Sequence, residues 1–285
     1  MAAVLILGED TAHAALIDAL SRRQLHVMAC EKDDLWLADR LDERDAAQVE
    51  LSWIGDGSGY AIRWVGEEVL DLGRDRPRIR YTTTVRASQL SDAFKVNGMR
   101  PSFRGFLENG PAKPEAHLWR RRLFWAFEEH DVQGVVVGCD TDGQKEHLDG
   151  LKQAIRVSNL SDCVVLAAPH QDAEAWFVAG FEPKTAEEHT RLATLCTELS
   201  FDPCTKPDLL TAKPNNASTG AKRVLRRLLF DENRSRPLTR DELRDAVDRC
   251  LSDLDRLEAC RGGDTMVSAF LKAIRTVLYP IVKRG

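Results

Sequence analysis

No stretch of this 285-residue chain approaches the ~18–20 consecutive apolar residues that a membrane-spanning helix requires. The opening Met-Ala-Ala-Val-Leu-Ile-Leu-Gly meets Glu9 and Asp10 after too short an apolar run for a secretory leader. Seven cysteines (Cys30, Cys139, Cys163, Cys196, Cys204, Cys250, Cys260) include no Cys-x-x-Cys pair, which removes the common zinc-ribbon and thioredoxin-like patterns. Cys139 and Cys163 fall in or beside apolar, strand-like runs, so the set reads as reduced and mostly buried thiols. The expectation is a soluble, unexported, cytoplasmic protein. Neither sign of charge dominates, with 40 basic against 45 acidic residues and a formal charge of −5. That balance argues against wholesale wrapping of nucleic acid but leaves room for a local basic patch that touches a few phosphates. Internal repeats and low-complexity tails are also lacking.

What the chain does contain is Val135-Val136-Val137-Gly138-Cys139-Asp140-Thr141-Asp142-Gly143. An apolar run that stops at two carboxylates and a glycine reads as a buried strand delivering acid to a loop. Residues i and i+2 of an extended backbone point the same way, so Asp140 and Asp142 can face one spot. Two carboxylates about 4 Å apart repel by roughly 1–4 kcal/mol at effective dielectrics of about 80 to 20, a penalty that a bound Mg²⁺ or Mn²⁺ relieves. The plainer alternative is a polar turn, with Asp142-Gly143 at its corner and Asp140 capping the next helix.

The surrounding order is strand, helix, strand. Val4 to Leu7 reads as a short strand; Ala12, Ala15, Leu16, Ala19 and Leu20 mark one helix face. Leu25-His26-Val27-Met28 reads as a second strand and Asp33–Gln48 as a charged helix. From Val49 to about Leu90 the texture is β-like: Val49–Ile54, Tyr60–Val65 and Arg78–Val85, with Gly55-Asp56-Gly57-Ser58-Gly59 as a hairpin signal. Asn97–Pro114 reads as loop. A helix then carries Ala116, Trp119, Leu123, Ala126 and Phe127 on one face, with Arg120-Arg121-Arg122 largely off it. Lys145–Arg156 is helical, with Leu148, Leu151 and Ile155 inward, and Cys163–Ala167 is a buried strand. Beyond Pro183 the patterns are helical: Thr185–Leu199, Thr219–Leu229, Thr239–Leu257 and Thr265–Val282. The reading is an α/β protein with a Rossmann-like parallel sheet in residues 1–182, a β-rich insertion at about 49–112, and an all-α region over 183–285.

In parallel α/β sheets ligands gather at the carboxyl ends of the strands. Three strand exits here are acidic: Gly8-Glu9-Asp10, Asp140-Thr141-Asp142 and Pro169-His170-Gln171-Asp172-Ala173-Glu174. A glutamate after the first strand and Asp-x-Asp after a later one resemble the Toprim arrangement of topoisomerases, primases and overcoming-lysogenization-defect nucleases. Ile6-Leu7-Gly8-Glu9-Asp10, Asp140-Thr141-Asp142-Gly143, Ala173-Glu174-Ala175-Trp176-Phe177 and Gly220-Ala221-Lys222-Arg223-Val224-Leu225 look more closely like Toprim-like proteins encoded near bacterial ATPases. The family glutamate more often precedes its glycine, whereas Leu7 stands there and Glu9 follows Gly8; the span from Glu9 to Asp140 also requires an insertion.

This resemblance implies a Mg²⁺- or Mn²⁺-dependent nuclease in a bacterial defence or repair system, acting on nucleic acid, DNA ahead of RNA, with an ATPase as partner protein. Asp140 and Asp142 would hold the metal and Asp172 or Glu174 would complete the site. Glu9 would serve as ligand or general base, and Lys222 or Lys213 would neutralise the scissile phosphate. Local alternatives exist for each residue: Glu174 as an exposed acid ahead of Trp176, His170 as a loop hydrogen-bonder, and Arg120–Arg122 or Lys222, Arg223, Arg226 and Arg227 as solvated helix faces. Trp36, Trp53 and Trp64 fit core or interface better than base stacking. Rival functions are a haloacid-dehalogenase-like phosphatase with Asp140 as nucleophile, a glycosyltransferase, and an inert Toprim-like sensor or scaffold for the ATPase.

Overall fold

A computed structural model of the chain describes residues 3–8, 11–34, 38, 80–86, 106–107, 110–113, 115–124, 127, 132–139, 145–169, 172–212, 217–233, 236, 238–260 and 267–284. The first two β-like pieces (Val49–Ile54, Tyr60–Val65), nearly all of the expected helix 33–48, and Trp36, Trp53 and Trp64 lie outside them.

The protein is mixed α/β. Strand β1 (Ala3–Gly8) leads into α1 (Thr11–Glu31), followed by β2 (Arg80–Arg86), a short antiparallel pair β3 (Phe106–Leu107) and β4 (Gly110–Pro111), α2 (Ala116–Phe124), β5 (Gly134–Gly138), α3 (Lys145–Val157) and β6 (Val164–Ala167). Helices α4 (Glu174–Gly180), α5 (Ala186–Leu199), α6 (Ala221–Phe230), α7 (Arg240–Cys250), α8 (Leu254–Ala259), α9 (Val267–Ala273) and α10 (Tyr279–Arg284) complete the order, with a π-helical turn at Ile274–Leu278. The main sheet runs β2-β1-β5-β6 and every pairing in it is parallel.

Strand β5 explains why Val135–Val137 is uniformly apolar. Val136 packs with Val4, Ile6 and α1 on one face, while Val135 and Val137 pack with Trp119 and Leu123 of α2 and Leu151 and Ile155 of α3 on the other. A strand covered on both faces needs apolar side chains at every position. The C-terminal helices do not form a separate body: Leu225, Leu251, Phe270 and Leu278 share one core with Ile6 and Val136.

Three expectations need correction. Leu25-His26-Val27-Met28 is not a strand but the last third of α1. No glycine or proline interrupts residues 11–31, and Leu20, Leu25, Met28 and Ala29 continue the buried face. The helix stops only where Asp33 turns left-handed (φ 54°), with Asp33 N–H donating to the Cys30 carbonyl and Asp34 N–H to that of Ala29. This is a Schellman stop built on aspartate instead of glycine. The piece Arg78–Val85 corresponds to β2, which pairs in parallel with β1, Thr84 opposite Ile6, and among the described residues forms no antiparallel pairing and lies at the edge of the main sheet. The long connection from α1 supplies the crossover that parallel pairing demands. Third, Thr239–Leu257 is two helices, because Asp253 accepts a hydrogen bond from Arg256 N–H and caps a new start at α8.

Helix α4 is buried at all seven positions, as a helix surrounded by core must be. Trp176 lies against Phe270 with ring centroids 5.4 Å apart. Its last residue, Gly180, crosses the end of α7 so closely that an added Cβ would come within 1.6 Å of the Cys250 carbonyl oxygen. Gly180→Ala is therefore expected to cost about 3 kcal/mol or more, read as a lower urea midpoint; unchanged stability would show that the two helices can move apart freely.

A candidate metal site at the carboxyl edge of the sheet

Strands β1 and β5 lie side by side with Leu7 opposite Val137, and β5 and β6 with Gly138 opposite Ala167. Their carboxyl ends are therefore level. Along the chain β1 is followed in the sheet by β2 on one side, whereas β5 is followed by β6 on the other. The sheet thus reverses direction between β1 and β5, the topological switch point at which open α/β sheets hold ligands. Glu9 is the first residue after β1, and Asp140 the second after β5. Glu9, Asp140, Asp142, His170 and Lys213 themselves lie outside the described residues.

Beyond β6 the chain reaches Asp172 and Glu174, and both are buried, at 3% and 4% exposure. This overturns the reading of Glu174 as an exposed acid. It opens α4, which is buried at all seven positions. Burial pushes the Glu174 carboxyl well above the usual range; the charge of Asp172 and a hydrogen bond to it add to the effect, and Lys222 opposes it. The Lys222 ammonium lies 3.1 Å from Asp172 Oδ1, which brings together three of the residues expected at the site.

Two carboxyls supply the hard oxygen donors that Mg²⁺ or Mn²⁺ takes, while the Lys222 ammonium already neutralises one of them. Among the described residues no group of three or more His, Cys, Asp or Glu side chains gathers at metal-binding spacing. Asp172 and Glu174 would thus be two members of a set whose others come from the strand exits at Glu9 and Asp140–Asp142.

Helix α6, which presents Lys222, is held by a cluster around Arg226, which corrects the alternative of a solvated face at that residue. Arg226 is fully buried. Its guanidinium donates to Glu232 at 2.6 and 3.1 Å and to Glu242 at 2.9 and 3.3 Å, while Arg236 donates to Glu242 at 2.6 and 2.8 Å. Glu242 is also the third residue of a capping box with Thr239 at the start of α7. The Thr239-x-x-Glu242 spacing was the one sequence signal for this cluster. Arg227 pairs with Glu198 of α5. On α2, Arg122 is likewise buried, stacked 4.4 Å over the Trp119 ring, and only Arg120 of the basic triplet is exposed.

None of the seven cysteines forms a disulfide. Cys30 is exposed, while burial pushes the Cys250 thiol up to about 12 and raises that of Cys204 further still, which makes both poor nucleophiles. No family model, no curated protein and no solved structure matches the chain.

The arginine cluster makes a pH prediction. Hydrogen bonds from Arg236 and Arg226 hold the Glu242 carboxyl far below its ordinary range, and Arg226 also lowers that of Glu232. A folded-state value depressed below the unfolded one, ~4.3, gives stability that is complete above that value and lost as pH falls through the folded value. Glu242→Gln is expected to lower stability at pH 7 and to flatten its decline between about pH 5 and pH 3, measured by urea melts; parallel declines in the two proteins would show that the cluster contributes nothing to acid sensitivity.

Proposed function

We propose that the chain is a divalent-metal-dependent nuclease with a Toprim-like catalytic core. The observation that carries this reading is the switch point: β1 and β5, the strands that precede Glu9 and Asp140, are adjacent, parallel and level at their carboxyl ends. The pair Asp172–Lys222 beyond the neighbouring strand β6 adds to it. Asp140, Asp142, Asp172 and Glu174 would hold Mg²⁺ or Mn²⁺, and Glu9 would be a further ligand or the base that takes a proton from the attacking water. When bound, the cation would supply electrophilic stabilisation of the phosphoryl oxygens and acidify a water. Lys222 contributes a positive charge for the phosphodiester group. The substrate class is nucleic acid, DNA ahead of RNA. The setting is a bacterial defence or repair system in the cytoplasm, where an ATPase would serve as partner. That no described helix is long and apolar enough to cross a membrane is compatible with this setting.

One observation favours a second reading, an inert sensor or scaffold for the ATPase: Lys222 already neutralises the buried Asp172 carboxylate without any metal. The two separate in one assay. Supercoiled plasmid, linear duplex and single-stranded RNA are incubated with the protein, with and without Mg²⁺ or Mn²⁺, beside Asp140→Asn. Metal-dependent cleavage that falls to background in the variant is the expected outcome. Full activity in Asp140→Asn would overturn the assigned site, and no cleavage of any polymer would favour the scaffold.

A further inference from the structure

Lys222 and a divalent cation would want the same oxygens. The ammonium is a compact point charge without the planar directionality of a guanidinium, and it sits 3.1 Å from Asp172 Oδ1. The two partners differ in freedom. The Asp172 side chain is 4% exposed, whereas that of Lys222 is 31% exposed, in the first turn of α6. One turn further along, Arg226 is locked by Glu232 and Glu242. The helix backbone is thus anchored while the flexible lysine stem reaches the solvent boundary.

We propose that Lys222 is a built-in competitor for the metal of this site, an inference that rests on the metal-site reading above. At rest the ammonium fills the cation position at Asp172. Loading of the site by Mg²⁺ or Mn²⁺ displaces it, and the freed ammonium turns to a backbone phosphate of the nucleic acid. Because the two cations exclude each other at Asp172, anything that draws Lys222 away strengthens metal binding, and by linkage the metal strengthens phosphate binding by the same factor. Metal and nucleic acid are therefore coupled positively through one side chain. The lysine is offered to a phosphate only once the metal is in place, which guards the site against unproductive phosphate capture.

The test is Mn²⁺ binding to the purified full chain, followed by electron paramagnetic resonance, in the wild type, Lys222→Met, Lys222→Arg and Asp172→Asn. Lys222→Met removes the competitor and is expected to bind Mn²⁺ at least about tenfold more tightly, while Lys222→Arg, still charged, stays near wild type. A second readout needs no variant: labelling of Lys222 by an amine reagent, quantified by mass spectrometry, rises with Mn²⁺ at the concentration that saturates the resonance signal. Equal or weaker binding by Lys222→Met, or labelling indifferent to Mn²⁺ while the wild type binds it, overturns the competitor role and leaves the metal site standing. Absence of Mn²⁺ binding in every protein, or binding untouched by Asp172→Asn, overturns the metal-site reading and this inference together.

Discussion

The parallel ladder between β1 and β5 fixes everything downstream of it. Leu5, Ile6 and Leu7 stand opposite Val135, Val136 and Val137, and a slip of one residue would turn Val136 from the α1 face to the α2–α3 face. Burial on both faces forbids that slip, since each face is filled by a different set of helices. Level carboxyl ends follow from the register. The chemistry proposed for the chain thus depends first on apolar packing.

A second constraint comes from the helical half. Charge at the edge of the sheet is tolerable only where it is compensated, because burial of an unpaired carboxylate costs several kcal/mol. Asp172 is compensated by Lys222, and Lys222 is delivered by α6, whose position depends on Arg226 and its two carboxylates. The all-α region therefore completes the electrostatics of the sheet edge as well as covering its face. The tight crossing of Gly180 under Cys250 and the Glu188 network, in which Arg249 approaches Glu188 Oε1 to 2.6 Å, tie α4, α5 and α7 into the same frame.

Periodicity made much of this legible in the sequence. The strands at Val4–Leu7, Val135–Val137 and Cys163–Ala167 and the helices at Lys145–Arg156 and Thr185–Leu199 follow directly from apolar spacing, since each element buries the face its pattern marks. Periodicity fails where an element's identity is decided by distant contacts. Leu25–Met28 is short and apolar, which fits a strand as well as a helix, and only continuity with α1 decides it. Arg226 reads as an exposed base on an amphipathic helix because its partners Glu232 and Glu242 come from the following loop and helix. The alternative of Glu174 as an exposed helix-opening acid fails because α4 is buried at all seven positions, which nothing local reveals. Of the expected site, the Lys222–Asp172 ion pair beside Glu174 is an observed arrangement, and that pairing had no sequence signal.

The central claim, that the acidic carboxyl edge of this sheet is a divalent-cation site, is tested most directly by a crystal soaked in Mn²⁺ and recorded at the manganese absorption edge. The account predicts an anomalous peak within coordination distance of the Asp172 or Glu174 carboxyl, beyond the ends of β5 and β6, with the Lys222 ammonium withdrawn from Asp172. A fully soaked crystal with no peak there, and Lys222 still paired with Asp172, would contradict it.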